Sequence, residues 1–194
     1  MGPASWDDTT SRTAPPTLYV EPRWYACYTR SRHEKQVEVL LAQKGIQSYL
    51  PVVPQLRQWK DRKKMVAWPL FPSYVFARFT LREVHDVLVV PGVSTIVRVD
   101  GRPTPIPDEE LANVRRFASA VAETGVVPKV RPLIREGAWV RIVEGPFLGV
   151  EGRVIERRGR SRVLVGLAAI GQGLEVDIDA QRLRVIARPS WAGA

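Results

Sequence analysis

A single cysteine, Cys27, in a chain of 194 residues excludes an internal disulfide, so nothing in the sequence needs an oxidising compartment. With His33 and His85 as the only histidines, a Cys/His zinc site is excluded too. No run approaches the ~18 apolar residues of a membrane span. The opening residues, MGPASWDDTTSRTAPPT, lack the apolar stretch of a signal peptide. The cytoplasm is therefore the expected compartment, with no membrane partner. Catalytic constellations are equally scarce: there are no paired carboxylates, no nucleophile–base set and no phosphate-cradling glycine loop. The Gly166–Gly171 stretch lacks the strand–loop–helix context of a dinucleotide site. The sequence thus predicts no enzymatic activity, no cofactor and no metal.

What the chain does have is positive charge. Lys and Arg number 29 against 20 Asp and Glu, a net +9. Most of the excess lies between residues 23 and 122, with 16 basic and 9 acidic groups. A basic domain of this kind favours a polyanionic neighbour, most simply nucleic acid.

Residues 1–22, rich in Ser, Thr, Pro and Asp, read as a disordered leader. Arg23 to Thr29 is an aromatic run suited to a strand. Ser31-Arg32-His33-Glu34 fits a capping box, with Val37, Leu40 and Leu41 at helical spacing and Gly45 as the stop. Gln47 to Val53 reads as a strand ended by Pro54, residues 57–64 as a basic loop or hairpin tip, and Pro69 to Phe79 as a strand. Thr80–Glu83 is a second capping box, opening a short helix that Pro91-Gly92 ends. Val93 to Val99 is a further strand. Pro107-Asp108-Glu109-Glu110 opens a third helix whose buried stripe is Leu111, Val114, Ala118 and Val121. Beyond Gly125 the character changes. Residues 123–134 look like a linker, and from Arg135 five short strands with glycine-marked turns predict a small barrel. The expected architecture is α+β: a sandwich of sheet and helices over 23–122, then a separate barrel over 135–188.

Gly145-Pro146-Phe147-Leu148-Gly149-Val150-Glu151-Gly152-Arg153-Val154, between two strands, resembles the KOW motif, with Phe147 and Val150 placed to tuck under the barrel. Upstream, Trp24-Tyr25, Leu70-Phe71-Pro72-Ser73-Tyr74-Val75-Phe76, Pro91-Gly92-Val93 and Pro105-Ile106-Pro107-Asp108-Glu109-Glu110-Leu111 resemble the NGN domain. NGN followed by an SH3-like KOW barrel, from Arg23 to Ala187, resembles the NusG family of transcription elongation factors. The alternative is a ribosome-associated KOW-type RNA-binding protein, against which the NGN pattern argues.

The resemblance implies a monomeric, non-enzymatic regulator that grips the clamp helices of the largest catalytic subunit of RNA polymerase and lies close to the non-template DNA strand. Its gripping surface, carried over by motif, is an aromatic patch of Tyr28, Phe71, Pro72, Tyr74 and Phe76. Independently, Tyr28 shares a strand face with Trp24, and Tyr74 with Phe76, so adjacent strands could pool rigid aromatics to receive a helix. Arg30, Arg32 and Lys35 fall near the expected DNA path, joined by Trp59, Lys60, Arg62, Lys63 and Lys64 of the basic loop, where Trp59 could stack on a base. The KOW domain implies partner contacts at Phe147 and Ile170. Termination factor Rho and a small-subunit ribosomal protein are the family's partners there. Ile170-Gly171-Gln172 departs from the Phe-Gly-Arg that housekeeping members often show, which speaks against both. That departure, Pro-Ser-Tyr at 72–74 and Ser94–Val99 lean toward a specialised, RfaH-like paralogue. Because seven glycines and Pro146 would interrupt any helical hairpin, the C-terminal domain is expected to be β in the free protein, independent of the NGN domain and uncovering its aromatic patch.

Overall fold

The computed structural model describes residues 15–58, 63–133, 137–157 and 160–192. In chain order its elements are β1 (Arg23–Thr29), α1 (Glu34–Gln43), β2 (Gln47–Tyr49), β3 (Val52–Gln58), β4 (Lys63–Pro69), β5 (Tyr74–Phe79), α2 (Val84–Leu88), β6 (Val93–Ile96), β7 (Arg98–Val99) and β8 (Arg102–Pro103). There follow α3 (Asp108–Thr124), β9 (Lys129–Pro132), β10 (Trp139–Ile142), β11 (Glu151–Arg157), β12 (Arg160–Leu167), β13 (Gln172–Asp177) and β14 (Leu183–Val185). Contacts divide the chain into two units. One takes in the chain up to Leu50 together with Ser73–Ile106; the other takes in Pro51–Pro72 and everything from Pro107 onward. The α+β mixture expected from the sequence is what the chain adopts.

The first unit is built on an antiparallel sheet in the order β2-β5-β1-β6. Tyr25 and Cys27 of β1 and Val75, Ala77 and Phe79 of β5 point to one face. There they pack in one cluster with Val37 and Leu41 of α1 and Val84 and Val87 of α2. The alternation of a strand sends Trp24, Ala26 and Tyr28 to the other face, with Tyr74 and Phe76 beside them. Burial pushes the Cys27 thiol up to about 12, so it has no thiolate character to offer near neutrality.

Local signals held where their partners are local. The backbone N–H of Thr80 donates to the Glu83 carboxylate at 2.7 Å, forming the second capping box. The first does not form. His33 takes the N-cap position of α1, and the buried Glu34 instead accepts the N–H of Ser73, 2.7 Å away and 39 residues on. The strand expected over 47–53 breaks at Leu50-Pro51, and β3 then runs straight through Pro54. Proline is tolerated because β3 pairs only with β4 in a two-stranded ribbon and so has an edge with no ladder to satisfy. Within the span read as a leader, Pro16–Tyr19 forms a 3-10 turn with no buried side chain.

The second unit holds the β3–β4 ribbon, α3 and a six-stranded antiparallel sheet in the order β14-β10-β11-β12-β13-β9. Val140, Ile142, Val150, Val163, Val165 and Leu174 are buried in its interior. Gly152 is required by close approach: a Cβ there would sit 2.6 Å from the Leu164 carbonyl oxygen. The segment read as a linker, 123–134, is structured at both ends. Helix α3 runs to Thr124, and β9 joins the edge of the sheet against β13. Arg131 reaches the buried Glu175 carboxylate at 3.4 Å, and Arg162 meets the same carboxylate at 3.0 Å. Leu133 donates its N–H to the Gly171 carbonyl at 2.8 Å. The stretch between helix and sheet outside both elements is Gly125–Pro128.

Candidate functional site

Two tyrosines define the candidate surface of the first unit. Tyr28 and Tyr74 are register partners on β1 and β5, so their side chains leave the sheet on one face. Their rings meet edge to face, with centroids 5.3 Å apart. Tyr28 is 42% exposed and Tyr74 half-buried. Burial, and then the neighbouring Tyr28, raise the Tyr74 phenol above its usual range, so Tyr74 offers a hydroxyl donor on an apolar body.

Ser73 sets this register. Its backbone lies in the left-handed region, φ 66°, unusual for a residue with a side chain. Glu34 holds its N–H, and its carbonyl accepts the N–H of Thr29 at 2.8 Å. The end of β1 is thereby tied to the start of β5, opposite each other at Tyr28 and Tyr74.

The remaining aromatics of the expected patch are placed differently. Phe76 is fully buried, with the Tyr49 ring 6.5 Å away. Phe71 is also fully buried, and together with the exposed Pro72 it falls in the second unit. What the first unit presents to solvent is therefore the tyrosine pair. Which aromatics on a strand face are covered depends on elements remote in sequence, so spacing alone could not separate Phe76 from Tyr74.

Directly after Tyr28 come the exposed Arg30, Arg32 and Lys35. The turn at Gly92 anchors the first of them: its carbonyl accepts the Arg30 N–H at 2.8 Å, at φ 101°, and a Cβ there would meet Val37 at 2.9 Å. Lys63 and Lys64 are exposed at the start of β4. Trp59, Lys60 and Arg62 lie outside the described residues.

In the second unit the expected partner residues are not free surface. Phe147 is 5% exposed, its ring 5.4 Å from that of Phe117 on α3. Ile170 is half-buried in the turn Ala168–Ile170, and the Ala168 N–H donates to the Glu110 carboxylate at 2.8 Å. Between these two points Asn113 grips the backbone of Glu151 twice. Its Nδ2 donates to the carbonyl at 2.6 Å, and its Oδ1 accepts the N–H at 2.9 Å. Helix α3 is thus docked on the C-terminal sheet by Glu110, Asn113 and Phe117, all buried. These three residues were missed. The signal was present: they recur at i, i+3 and i+7, a second stripe beside Leu111, Val114, Ala118 and Val121, so the helix is buried on two sides.

Burial pushes the Glu110 carboxyl up to about 7, opposed by the Ala168 N–H, which favours the charged form. A carboxyl with a higher pKa folded than unfolded stabilises fully below its unfolded value, and that contribution is lost as pH rises through about 7. Glu110→Gln keeps the acceptor and removes the proton. Urea titrations at pH 5 and 8 should therefore show wild type losing stability relative to Glu110→Gln, by on the order of 2 kcal/mol. Parallel curves would mean that the carboxyl does not titrate in this range.

Among the described residues no helix is long and apolar enough to cross a membrane, and no group of three His, Cys, Asp or Glu could hold a metal ion. Comparison with known proteins gives a consistent answer. Residues 22–115 match the family model for NusG, the transcription termination factor nusG. The chain is 28% identical over 177 residues to the transcription termination/antitermination protein NusG of Thermus thermophilus, covering 80% of this chain and 94% of that one. It is 26% identical over 177 residues to the protein of that name from Pseudomonas aeruginosa, covering 84% and 98%. A solved structure described as domain interaction in Thermotoga maritima NusG is 25% identical, covers 87% of this chain and 99% of its own, and superposes with a TM-score of 0.48. The NusG domain over residues 22–115 and the relatives of that name, matched along nearly their whole length, support placing the chain with the NusG transcription termination and antitermination proteins.

Proposed function

We propose that this chain regulates transcript elongation by holding RNA polymerase at the clamp helices of its largest catalytic subunit, with Tyr28 and Tyr74 as the anchors. The observation that carries the reading is the edge-to-face tyrosine pair, solvent-facing on adjacent strands of a rigid sheet. Rigid aromatics with polar tips are what a partner helix needs from a receiving surface. Phe76 backs the surface from inside as core, and Ser73 sets the register of Tyr74. Arg30, Arg32 and Lys35, next along the chain, face the non-template strand and neutralise its phosphates, with Lys63 and Lys64 on the ribbon acting likewise. The half-buried Ile170 of the KOW domain is the partner-recruiting residue, while Phe147, packed on Phe117, is core. Ile170-Gly171-Gln172, together with Ser73 where housekeeping members carry glycine, favours a specialised paralogue over a Rho- and ribosome-coupled factor.

The test uses two targets. Full-length chain is titrated onto an isolated clamp-helix fragment and onto a complete elongation complex carrying a non-template strand. Arg30→Ala/Arg32→Ala should leave the first affinity unchanged and lower the second several-fold, with a flatter salt dependence. Equal losses on both would remove the DNA role, and no binding of wild type to either would remove the reading itself.

A further inference from the structure

The outer face of the C-terminal sheet carries a cluster that the proposed function does not use. Trp139 on β10 is opposite Arg153 on β11, and Arg141 is opposite both Glu151 on β11 and Arg184 on β14. Opposed residues share a face, so these five side chains stand together while Val140 and Ile142 point into the core. Beyond β14 the chain folds back on this face. Ile186 donates its N–H to the Trp139 carbonyl at 2.9 Å, and Arg188 Nε donates to the Ala192 carbonyl at 3.0 Å. Trp191 meets Trp139 edge to face, centroids 5.6 Å apart and planes at 84°. On the Trp139 ring lies the Arg153 guanidinium, 4.9 Å from the centroid.

Both indoles are part-exposed, and Arg184 and Arg188 are exposed. Among the described residues the one carboxylate on this face is Glu151, taken up by Arg141 at 2.6 Å. The Trp139 indole N–H is buried with no hydrogen-bond partner among the described residues, a donor the fold itself leaves unused. Two indoles interleaved with arginines and almost no countercharge match the chemistry of a nucleotide strand: rings for bases, guanidinium groups for phosphates.

We propose that this face binds single-stranded nucleic acid, with bases stacking on the Trp191–Trp139 pair and phosphates on Arg184 and Arg188. An acidic peptide could satisfy the arginines but would leave the aromatic faces without a matching group, and the strand is the better fit. The site lies on the C-terminal sheet and goes beyond the polymerase reading, which concerns the other unit.

The experiment is fluorescence anisotropy of the full chain with fluorescein-labelled 12-mers of oligouridylate and oligothymidylate. Wild type should bind. Arg184→Glu/Arg188→Glu should weaken binding at least tenfold and lower the slope of log affinity against log salt by about 1.4, or about 0.7 per phosphate contact. Trp191→Ala should weaken it about tenfold, within the range for one stacked base, with Trp191→Phe recovering most of the loss. The same tenfold loss should appear in an Arg30→Ala/Arg32→Ala background, which separates this site from charge on the first unit. If Trp191→Ala loses its near-ultraviolet circular dichroism, the charge-reversal pair decides alone, since its positions are exposed. Wild-type affinity in the folded Arg184→Glu/Arg188→Glu chain overturns the proposal. So does equal, Trp191-dependent binding of a labelled polyglutamate peptide, which would reassign the face to an acidic protein segment.

Discussion

Replacing Tyr74 with alanine is expected to lower the affinity of the chain for the clamp helices by about thirtyfold, or ~2 kcal/mol, the scale of a buried aromatic anchor. The fold should survive. Tyr74 leaves the sheet on the face opposite the main cluster of the first unit and is only half-buried. Tyr28→Ala should cost nearly as much, and the double variant less than the sum, because each ring supports the other across 5.3 Å. Tyr74→Phe separates the two halves of the side chain. If the ring is the anchor, phenylalanine restores most of the affinity; if the hydroxyl is, it restores little. Unchanged binding in a folded Tyr74→Ala chain would falsify the assignment of this surface.

The second large effect concerns stability. Phe117→Ala removes a fully buried ring from the contact between α3 and the C-terminal sheet and should cost ~3–5 kcal/mol. Phe147→Ala should cost a comparable amount, and coupling between the two should be measurable in a double-mutant cycle by urea denaturation. Additive losses would mean that the two rings do not support each other in solution and that the helix and the sheet are separate there, as the sequence alone suggested. Asn113 gives an independent check: without it, the buried backbone N–H and carbonyl of Glu151 lose their partner, a further ~1–3 kcal/mol.

This contact shows where sequence reasoning runs out. Elements with their own periodicity were legible: the aromatic run of β1, the stripe of α3 from Leu111 to Val121, and the glycine-punctuated strands after residue 135. So was the Thr80–Glu83 box, whose two halves are three residues apart. The Ser31–Glu34 box has the same pattern and does not form, because Glu34 is taken by the N–H of Ser73, in the turn that leads into β5. Strand β9 carries no alternation of its own; Lys129-Val130-Arg131-Pro132 is an edge strand recruited by Glu175 and the free ladder of β13. The candidate site divides the same way. That Tyr28 and Tyr74 share a face follows from counting along strands. That Phe76 and Phe71 are covered, and that Phe147 and the turn at Ile170 lie against α3, depends on what packs over them. A single sequence does not encode that locally.

The most direct test of the account is a single-round transcription assay with purified core RNA polymerase on a template with defined pause and termination sites. The account predicts that full-length wild-type chain changes pause lifetimes or terminator read-through, and that Tyr28→Ala/Tyr74→Ala, with its far-ultraviolet circular dichroism intact, abolishes the change. An unaltered elongation profile with saturating wild-type chain, or a full effect from the folded double variant, would contradict it.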